Sequence, residues 1–195
     1  MGHPVCPWWH AYFFDNRLRR ILHKPEKIVG PFVAPGMTVM DIGCGMGFFS
    51  IGLAKLVGRH GCVISIDVQE KMLRILEKRA KRAGVSDRIR THLCRPARLG
   101  IHHTVDFAVA FWMVHEVPDA RAFFSEIHSY LKPCGKLLIA EPKFHVSSTR
   151  FQETLTSAVS SGFKFVDTPH IRASWSAVLR CEPCKEIESG PRLAV

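Results

Sequence analysis

The residues best suited to bind a small molecule lie in one stretch, where glycines alternate with other residues behind an acidic side chain. Positions 39–50 read V-M-D-I-G-C-G-M-G-F-F-S. Glycine lets the backbone adopt positive φ and leaves no Cβ in the way of a ligand, so the main chain itself becomes a binding surface. We therefore expect a small molecule to bind along this glycine turn.

The spacing of the turn excludes two common phosphate-binding loops. A dinucleotide-binding turn follows the pattern G-x-G-x-x-G, and counting from Gly43 puts Phe48 at the third glycine position. A P-loop carries a lysine directly after its last glycine, and none follows here. Asp41 would also repel a pyrophosphate and attract a cation. The turn thus favours a ligand with positive charge.

Three further side chains have the chemistry for proton transfer: His115, Glu141 and His145. A histidine titrates near neutrality and can take a proton from a nucleophile. Each candidate lies at or just past the end of a predicted strand, and Glu141 and His145 could also orient a polar substrate. His115 is equally suited to a structural hydrogen bond at the start of the next helix, and the other two to a surface loop. The assignment of a base stays open at this point.

These side chains need strands that end at one common edge of a sheet. Apolar runs rich in β-branched residues predict seven strands, and amphipathic runs predict helices between them. The strands are 38–42, 62–66, 89–94, 105–111, 136–141, 164–167 and 173–180. The helices are 25–29, 47–57, 69–83, 119–130 and 147–161. Alternation of the two kinds of element predicts an α/β fold, in which ligands bind at the carboxyl ends of the strands.

Several of these stretches together resemble a known family. D-I-G-C-G-M-G at 41–47, with Asp67 ending the next strand, resembles motif I and the following acidic position of class I S-adenosylmethionine-dependent methyltransferases. D-F-A-V-A-F-W-M-V-H-E-V-P-D at 106–119 and L-K-P-C-G-K-L-L-I-A-E-P at 131–142 resemble later motifs of the branch that includes quinone-biosynthesis and other small-molecule enzymes. The resemblance implies a Rossmann-like, doubly wound seven-stranded sheet, mostly parallel with an antiparallel last strand.

The same resemblance implies S-adenosyl-L-methionine as the cofactor and S-adenosyl-L-homocysteine as the product. Asp67 would accept hydrogen bonds from both ribose hydroxyls, because a carboxylate offers two acceptor oxygens to a diol. A helix N-cap is the other role open to this aspartate. The remaining residues implied to bind the cofactor are Asp41, Gly43, Cys44, Gly45, Val68, Arg95 and Phe111.

Arg95 departs from the family pattern, in which many members carry an aspartate that contacts the adenine amino group. Arginine offers donors and no acceptor, so it cannot replace that contact. Backbone groups and apolar walls would then hold the adenine, or this edge of the site differs.

The segment ahead of the glycine turn is rich in aromatic residues. In the resembled family such segments cover the cofactor and help to form the substrate pocket, which makes Cys6, Trp8, Trp9, His10 and Tyr12 candidates for a lid that binds the acceptor. Trp112, just past the fourth predicted strand, is a further candidate for binding the acceptor because ligands bind at that edge of the sheet. Burial against the core is the alternative role for the aromatic residues near the start of the chain. We expect a lid segment at 1–24, an S-adenosylmethionine-binding methyltransferase domain at 25–180 and a tail at 181–195.

Length and composition predict one soluble, cytoplasmic domain. The chain has 195 residues, 47% of them apolar, but no run long enough for a transmembrane segment and no signal-peptide layout. The formal net charge of +10 favours anionic partners. Many of the basic residues share the helix at 69–83 with acids at i,i+4 spacing, so they form either a solvated face or a nucleic-acid patch. Nucleic acid is the less favoured partner.

The seven cysteines are an odd number without framework spacing, so reduced thiols are expected. Cys181 and Cys184 form a C-x-x-C pair, but zinc needs four ligands and no second pair exists. We therefore predict no metal site.

The sequence predicts methylation of a small molecule, and it leaves the reacting atom of that acceptor open. A carbon or oxygen acceptor would need His115, Glu141 or His145 to remove a proton, whereas a thiolate or arsenic acceptor would need a cysteine such as Cys6 or Cys44. The alternatives are an RNA or protein methyltransferase that uses the basic surface, and a sensor that binds S-adenosylmethionine without catalysis. The oligomeric state is also open.

Overall fold

The structure of the chain is a computed structural model that describes residues 23–182. The strands are β1 (Thr38–Ile42), β2 (Cys62–Asp67), β3 (Ile89–Leu93), β4 (Val105–Phe111), β5 (Leu131–Pro142), β6 (Phe163–Asp167) and β7 (Ser174–Cys181). The helices are α1 (Pro25–Val29), α2 (Phe48–Val57), α3 (Glu70–Arg82), α4 (Ala120–Tyr130) and α5 (Ser148–Val159), and single turns of 3-10 helix occupy Gly30–Phe32, Ser86–Arg88 and Val114–Glu116.

The seven strands form one sheet in the order β3-β2-β1-β4-β5-β7-β6. The neighbours from β3 to β5 pair in parallel, and β7 runs antiparallel to both β5 and β6. This confirms the predicted Rossmann-like sheet with an antiparallel last strand. Strand order reverses between β1 and β4, so the crevice that such sheets use for ligands opens at the carboxyl ends of these two strands.

The central strands are apolar on both faces because helices cover both sides of the sheet. In β5, Leu137 and Ile139 pack into one core, whereas Leu138 and Ala140 pack into the other. All four side chains are fully buried. The two cores fix the register of β5, and therefore the position of the side chains that follow it at the crevice.

Capping side chains fix the residues at which α4 and α5 begin after the loops at the crevice. Asp119 accepts a hydrogen bond from the Ala122 N–H at 2.9 Å at the start of α4. Ser147 accepts one from the Arg150 N–H at 3.2 Å at the start of α5. Each satisfies a backbone donor that the first helical turn leaves without an intrahelical partner.

Strand β5 differs from the sequence prediction. It begins at Leu131 rather than at position 136, and the predicted turn at 133–135 is an irregularity within the strand. The register against β4 shifts between Val105 and Phe107, and Cys134 has φ of +64°.

The expectation of reduced thiols fails at Cys134, which is disulfide-bonded, while Cys44, Cys62, Cys94 and Cys181 are free.

Within residues 23–182, no helix is both long and apolar enough to cross a membrane. The same part of the chain holds no cluster of three or more His, Cys, Asp or Glu side chains placed to bind a metal ion. Most of the predicted lid (1–24) and tail (181–195) lies outside the described residues.

Candidate active site

The glycine turn joins the end of β1 to α2 and is tied to the end of β2. Gly43, Gly45 and Gly47 have φ of +66°, +52° and +84°, values that side chains with a Cβ rarely adopt. The Cys44 N–H donates to the Ile66 carbonyl at 2.9 Å. The Gly45 N–H donates to Asp67 Oδ2 at 2.9 Å. The turn of β1 and the acid of β2 therefore form one cradle.

The three glycines have different neighbours. A Cβ built on Gly47 would lie 2.1 Å from Leu76 Cδ1, and one on Gly43 would lie 2.9 Å from Met113 Cγ. A Cβ on Gly45 would meet no protein atom within 4 Å. Packing thus requires glycine at 43 and 47, whereas Gly45 borders open space where a ligand would lie against the main chain.

Gly45→Ala and Gly47→Ala are expected to fail in different ways. The first adds a Cβ to the open side of the cradle at a backbone cost of about 1 to 2 kcal/mol, so the protein folds but binds S-adenosylhomocysteine about tenfold more weakly, a change of about 1.4 kcal/mol. The second adds a clash with Leu76 and lowers the melting temperature more. Thermal unfolding with and without S-adenosylhomocysteine measures both effects. Wild-type affinity in Gly45→Ala would contradict this account of the cradle.

Asp67 lies at the bottom of the cradle and is 8% exposed. Its two oxygens accept from the Gly45 N–H at 2.9 Å and from the Gln69 N–H at 2.8 Å. Burial raises the pKa of the carboxyl group, and these backbone N–H groups offset part of the rise. Gln69 rather than Asp67 is the N-cap residue of α3. Val68 connects the two and is partly buried.

Asp41 lies beneath the turn and is 2% exposed. Its Oδ2 accepts a hydrogen bond from Ser50 Oγ at 2.5 Å, and Ser50 Oγ accepts one from Ser65 Oγ at 2.8 Å. These contacts link β1 to α2 and β2 below the glycines. Asp41 thus supports the turn from inside, and its negative charge lies under the surface that a ligand would touch.

Cys44 is 6% exposed within the same turn. Burial raises the pKa of its thiol well above the usual value, and the charges of Asp41 and Asp67 raise it further. The group therefore stays protonated at neutral pH, which disfavours the alternative of a thiolate at this position.

An aromatic wall, formed by Phe111, Trp112 and Phe144, lies at the carboxyl ends of β4 and β5. Trp112 has φ of +60°, and its N–H donates to the Ala140 carbonyl at 2.7 Å. Its indole Nε1–H donates to Ser174 Oγ at 2.9 Å. The rings of Phe111 and Phe144 lie 5.4 and 5.5 Å from the Trp112 ring. Two hydrogen bonds hold Trp112 in a backbone conformation that is unfavourable for a bulky residue, as is common at binding sites.

The three candidates for proton transfer lie together. Glu141 is 1% exposed; its Oε1 accepts from the Val114 N–H at 2.8 Å, and its Oε2 is bonded to His115 Nδ1. The ring of His145 lies 4.8 Å from the ring of His115 at an interplanar angle of 66°. The side chain of His115 is 11% exposed. The arrangement is a histidine oriented by a buried carboxylate.

The tautomer of His115 follows from this arrangement. An ionised carboxylate only accepts hydrogen bonds, so Nδ1 carries a proton. The other ring nitrogen, Nε2, lies 3.9 Å from Glu116 Oε1 and is the atom through which the imidazole can exchange a second proton. Glu141, predicted from the sequence as a base or as a residue that orients a polar substrate, is buried and hydrogen-bonded to His115 and Val114. In this arrangement the group that it orients is the imidazole of His115.

Arg95 and Phe111 are the two remaining predicted cofactor residues. Arg95 is exposed, in a tight turn that its backbone closes with that of Arg98 through hydrogen bonds of 3.1 and 3.0 Å. Phe111 is 6% exposed and packs 4.6 Å from the Phe49 ring. Trp8, Trp9, His10, Tyr12 and Cys6 lie outside the described residues.

Sequence reasoning missed several side chains that the site uses. Ser50 and Ser65 support Asp41, Ser174 holds Trp112, and the Arg150 guanidinium donates to the His115 carbonyl at 3.2 Å. The position of Ser50, three residues past the last glycine, was a usable signal. Ser174 gave none, because its contact with Trp112 spans 62 residues of sequence.

Comparison with known proteins adds a family match. A family profile described as "Methyltransferase domain" matches residues 34–179. The chain is 33% identical over 110 residues to a demethylmenaquinone methyltransferase from Lactobacillus johnsonii, covering 56% of this chain and 45% of that protein. It is 34% identical over 116 residues to a ubiquinone/menaquinone biosynthesis C-methyltransferase from Blochmanniella pennsylvanica, covering 57% and 45%. The chain thus aligns with slightly less than half the length of these relatives.

The fold also matches a solved structure closely. A SAM-dependent methyltransferase from Aquifex aeolicus superposes with a TM-score of 0.82 at 23% identity, covering 91% of this chain and 100% of that one. At this identity the likeness concerns the fold alone. The matched sheet is the element that brings the cradle, the aromatic wall and His115 to one edge.

Proposed function

Because the chain belongs to the family of class I methyltransferase domains, whose cofactor is S-adenosylmethionine, we propose that it transfers a methyl group to a small-molecule acceptor. The observation that carries the proposal is the pairing of a cradle with an oriented base. A positive-φ glycine turn hydrogen-bonded to Asp67 lies at the end of β1 and β2, and His115 held by Glu141 follows β4 in the same crevice.

The cradle has the features that the methyl donor requires. The main chain at Gly43 and Gly45 would contact the amino-acid part of the cofactor, and Asp67 would accept hydrogen bonds from its ribose hydroxyls. Val68 and Phe111 would border its adenine ring. When bound, the cofactor supplies a methyl group on a positively charged sulfonium. The buried charge of Asp41 favours such a cation. Residues 25–180 would form the catalytic unit.

His115 would take a proton from the acceptor at Nε2. Glu141 keeps Nδ1 protonated, so Nε2 is available as the base. His115 would receive the acidic proton that the acceptor gives up as it is methylated. Holding the two reactants close and aligned supplies most of the acceleration, on the order of 7 kcal/mol or more.

The aromatic wall and the names of the relatives suggest the class of acceptor. Phe111, Trp112 and Phe144 offer flat surfaces on which an aromatic ring can stack. The two relatives are named for methylation of quinone precursors. A hydroquinone or other phenol fits both facts, because its O–H supplies the proton for His115 and its ring supplies a nucleophilic carbon.

On acidification, cofactor affinity is expected to begin to fall at a higher pH than it would if the pKa of Asp67 were that of an ordinary aspartate. Above the raised pKa of Asp67 the carboxylate is ionised and accepts two hydrogen bonds; below it the protonated group loses an acceptor and affinity drops. Calorimetric titration with S-adenosylhomocysteine from neutral to acidic buffers measures the effect. Asp67→Asn should remove this pH dependence, and an unchanged profile in that variant would contradict the assignment.

The proposed function is tested by methyl transfer itself. Purified protein is incubated with methyl-labelled S-adenosylmethionine and a panel of phenols, hydroquinones, thiols, RNA and basic proteins. Label in a phenolic or hydroquinone product, lost in His115→Asn, supports the proposal. Tight cofactor binding without transfer to any acceptor would favour the sensor alternative, and label in RNA or protein would favour macromolecular methylation.

A further inference from the structure

A second pocket lies at the amino ends of the parallel strands, on the opposite edge of the sheet from the crevice. Its volume is about 390 Å³, within the range of small-molecule sites. Thr38 and Cys62, the first residues of β1 and β2, line it. Cys62 and Asp67 are the two ends of β2, so the pocket lies about 16 Å along that strand from the cradle. It is therefore separate from the site proposed for methyl transfer.

One face of the sheet supplies part of the lining. Thr38 pairs with Cys62 between β1 and β2, and Ile64 pairs with Arg90 between β2 and β3. Residues two apart on a strand point to the same face, so these four side chains lie together on one face. The segment 102–104, which leads into β4, also lines the pocket. Three strands and the entry to a fourth thus fix the positions of the lining groups.

Five of the seven lining residues carry strong hydrogen-bond donors. They are the Arg90 guanidinium, the His102 and His103 imidazoles, and the Thr38 and Thr104 hydroxyls. Among the described residues that line the pocket, none is acidic. The pocket thus offers its occupant several donors and the permanent positive charge of an arginine.

The protein itself does not use the guanidinium and imidazole donors of the pocket. In the described part of the chain, no hydrogen bond or ion pair involves the side chain of Arg90, His102 or His103. By contrast, Arg88 donates to the Ala54 carbonyl at 3.2 Å. Since the three side chains of the pocket are exposed, they can bind a ligand without breaking a contact within the protein.

Two neighbouring groups bear on the charge of the pocket. Asp106 accepts hydrogen bonds from Lys132 Nζ at 2.6 Å and from the Thr38 N–H at 2.9 Å, so a cation and a backbone donor offset its negative charge. Burial raises the pKa of the Cys62 thiol, and the charge of Arg90 offsets part of that rise. The guanidinium is therefore close enough to stabilise an anion inside the pocket.

A phosphate group suits these donors better than a carboxylate or a metal ion. A carboxylate has two acceptor oxygens, whereas a phosphate monoester has three and carries about two negative charges. The planar guanidinium of Arg90 can bind two phosphate oxygens at once, which leaves the third for an imidazole or a hydroxyl. For a metal ion the ligands are not in place, because no three His, Cys, Asp or Glu side chains within the described range are grouped to bind one.

We propose that this pocket is a second ligand site, which binds the phosphate group of a small soluble phosphate monoester. Its concave shape and limited volume favour a small molecule over the continuous backbone of a nucleic acid. The proposal does not rest on methyl transfer, because none of its residues belongs to the cradle, to the aromatic wall or to the pair of His115 and Glu141.

The proposal is tested by calorimetric titration of the full chain with glycerol 3-phosphate, and with glycerol as the uncharged comparison. Glycerol 3-phosphate should bind and glycerol should not. Arg90→Gln should weaken binding by about 10- to 100-fold, as is typical for loss of a charged hydrogen bond. Arg90→Lys keeps the charge without the planar fork and should recover only part of the affinity. Arg82→Gln is the matched control, because Arg82 is exposed at the end of α3 and does not line the pocket.

A second measurement locates the ligand independently of these variants. Bound glycerol 3-phosphate should cover Cys62 and slow its alkylation by iodoacetamide about tenfold when nine-tenths of the sites are occupied. Mass spectrometry of the Cys62 peptide measures the rate. Cys94 is the internal reference, since its thiol is free and lies outside the pocket. Its rate should not change.

Each of the following results overturns the proposal. Absence of binding refutes it directly, and equal losses in Arg90→Gln and Arg82→Gln would show only general attraction to a chain of net charge +10. Displacement of glycerol 3-phosphate by S-adenosylhomocysteine would place the anion in the crevice. Arg90-dependent binding of RNA without a terminal phosphate, or of phosphatidic acid vesicles, without binding of glycerol 3-phosphate would assign the surface to nucleic acid or to lipid.

Discussion

Asp67→Ala is expected to weaken S-adenosylhomocysteine binding by about 10²- to 10⁴-fold. The substitution removes two hydrogen bonds to a charged acceptor, each of which contributes about 1.5 to 3 kcal/mol. The dissociation constant from calorimetric titration, or the ligand-induced shift in melting temperature, measures the loss.

Two further variants separate binding from folding. Asp67 also accepts the Gly45 and Gln69 N–H groups, so the alanine variant is expected to melt lower even without ligand. Asp67→Asn keeps one acceptor oxygen for the turn, so it should be more stable than Asp67→Ala. Its affinity for S-adenosylhomocysteine should nevertheless stay low. Asp87→Ala removes an exposed aspartate far from the turn and should bind normally. Wild-type affinity in both Asp67 variants would refute the cradle as the cofactor site.

His115→Asn is expected to lower kcat by about 10² to 10⁴ without changing cofactor affinity, as is typical for loss of a general base. The amide nitrogen of asparagine can still donate to Glu141, so the buried carboxylate keeps a partner and the fold is preserved. What is lost is the acceptor at Nε2. Single-turnover rates with a hydroquinone acceptor, together with the S-adenosylhomocysteine dissociation constant, measure the two quantities separately.

Variants of the neighbouring residues define the roles around His115. Glu141→Gln should lower kcat and shift the pH profile of the reaction, because the carboxylate no longer fixes the proton on Nδ1. A purely structural Glu141 would change the melting temperature and leave the profile in place. His145→Ala should have a small effect, since His145 is exposed and touches His115 only through its ring. A full rate in His115→Asn would show that the reaction needs no base here.

The fold and the donor side of the site were predictable because their signals are local. The glycine turn reads directly from the sequence, and parallel strands bring their carboxyl ends together, so the approach of Asp67 to Gly45 followed from strand order. The start of β5 was missed because Pro133 and Gly135 are typical of a turn. Here those residues sit at a register shift inside the strand.

The acceptor side depends on contacts that local patterns do not encode. His115 and Glu141 were both chosen from the sequence, but as independent candidates. Their hydrogen bond spans 26 residues and depends on the register of β4 against β5. The hydrogen bond from Trp112 to Ser174 spans 62 residues and depends on the antiparallel pairing of β7 with β5. Neither distance in space follows from spacing in the chain.

The raised pKa of Cys44 has a consequence for the lifetime of the protein. A sulfonium alkylates soft nucleophiles, so a thiolate in the turn proposed to hold S-adenosylmethionine would compete with the acceptor and be methylated irreversibly. Burial together with Asp41 and Asp67 keeps the sulfur protonated, and a thiol is a poor nucleophile. The two carboxylates proposed to favour the donor would thus also protect the protein from alkylation by it.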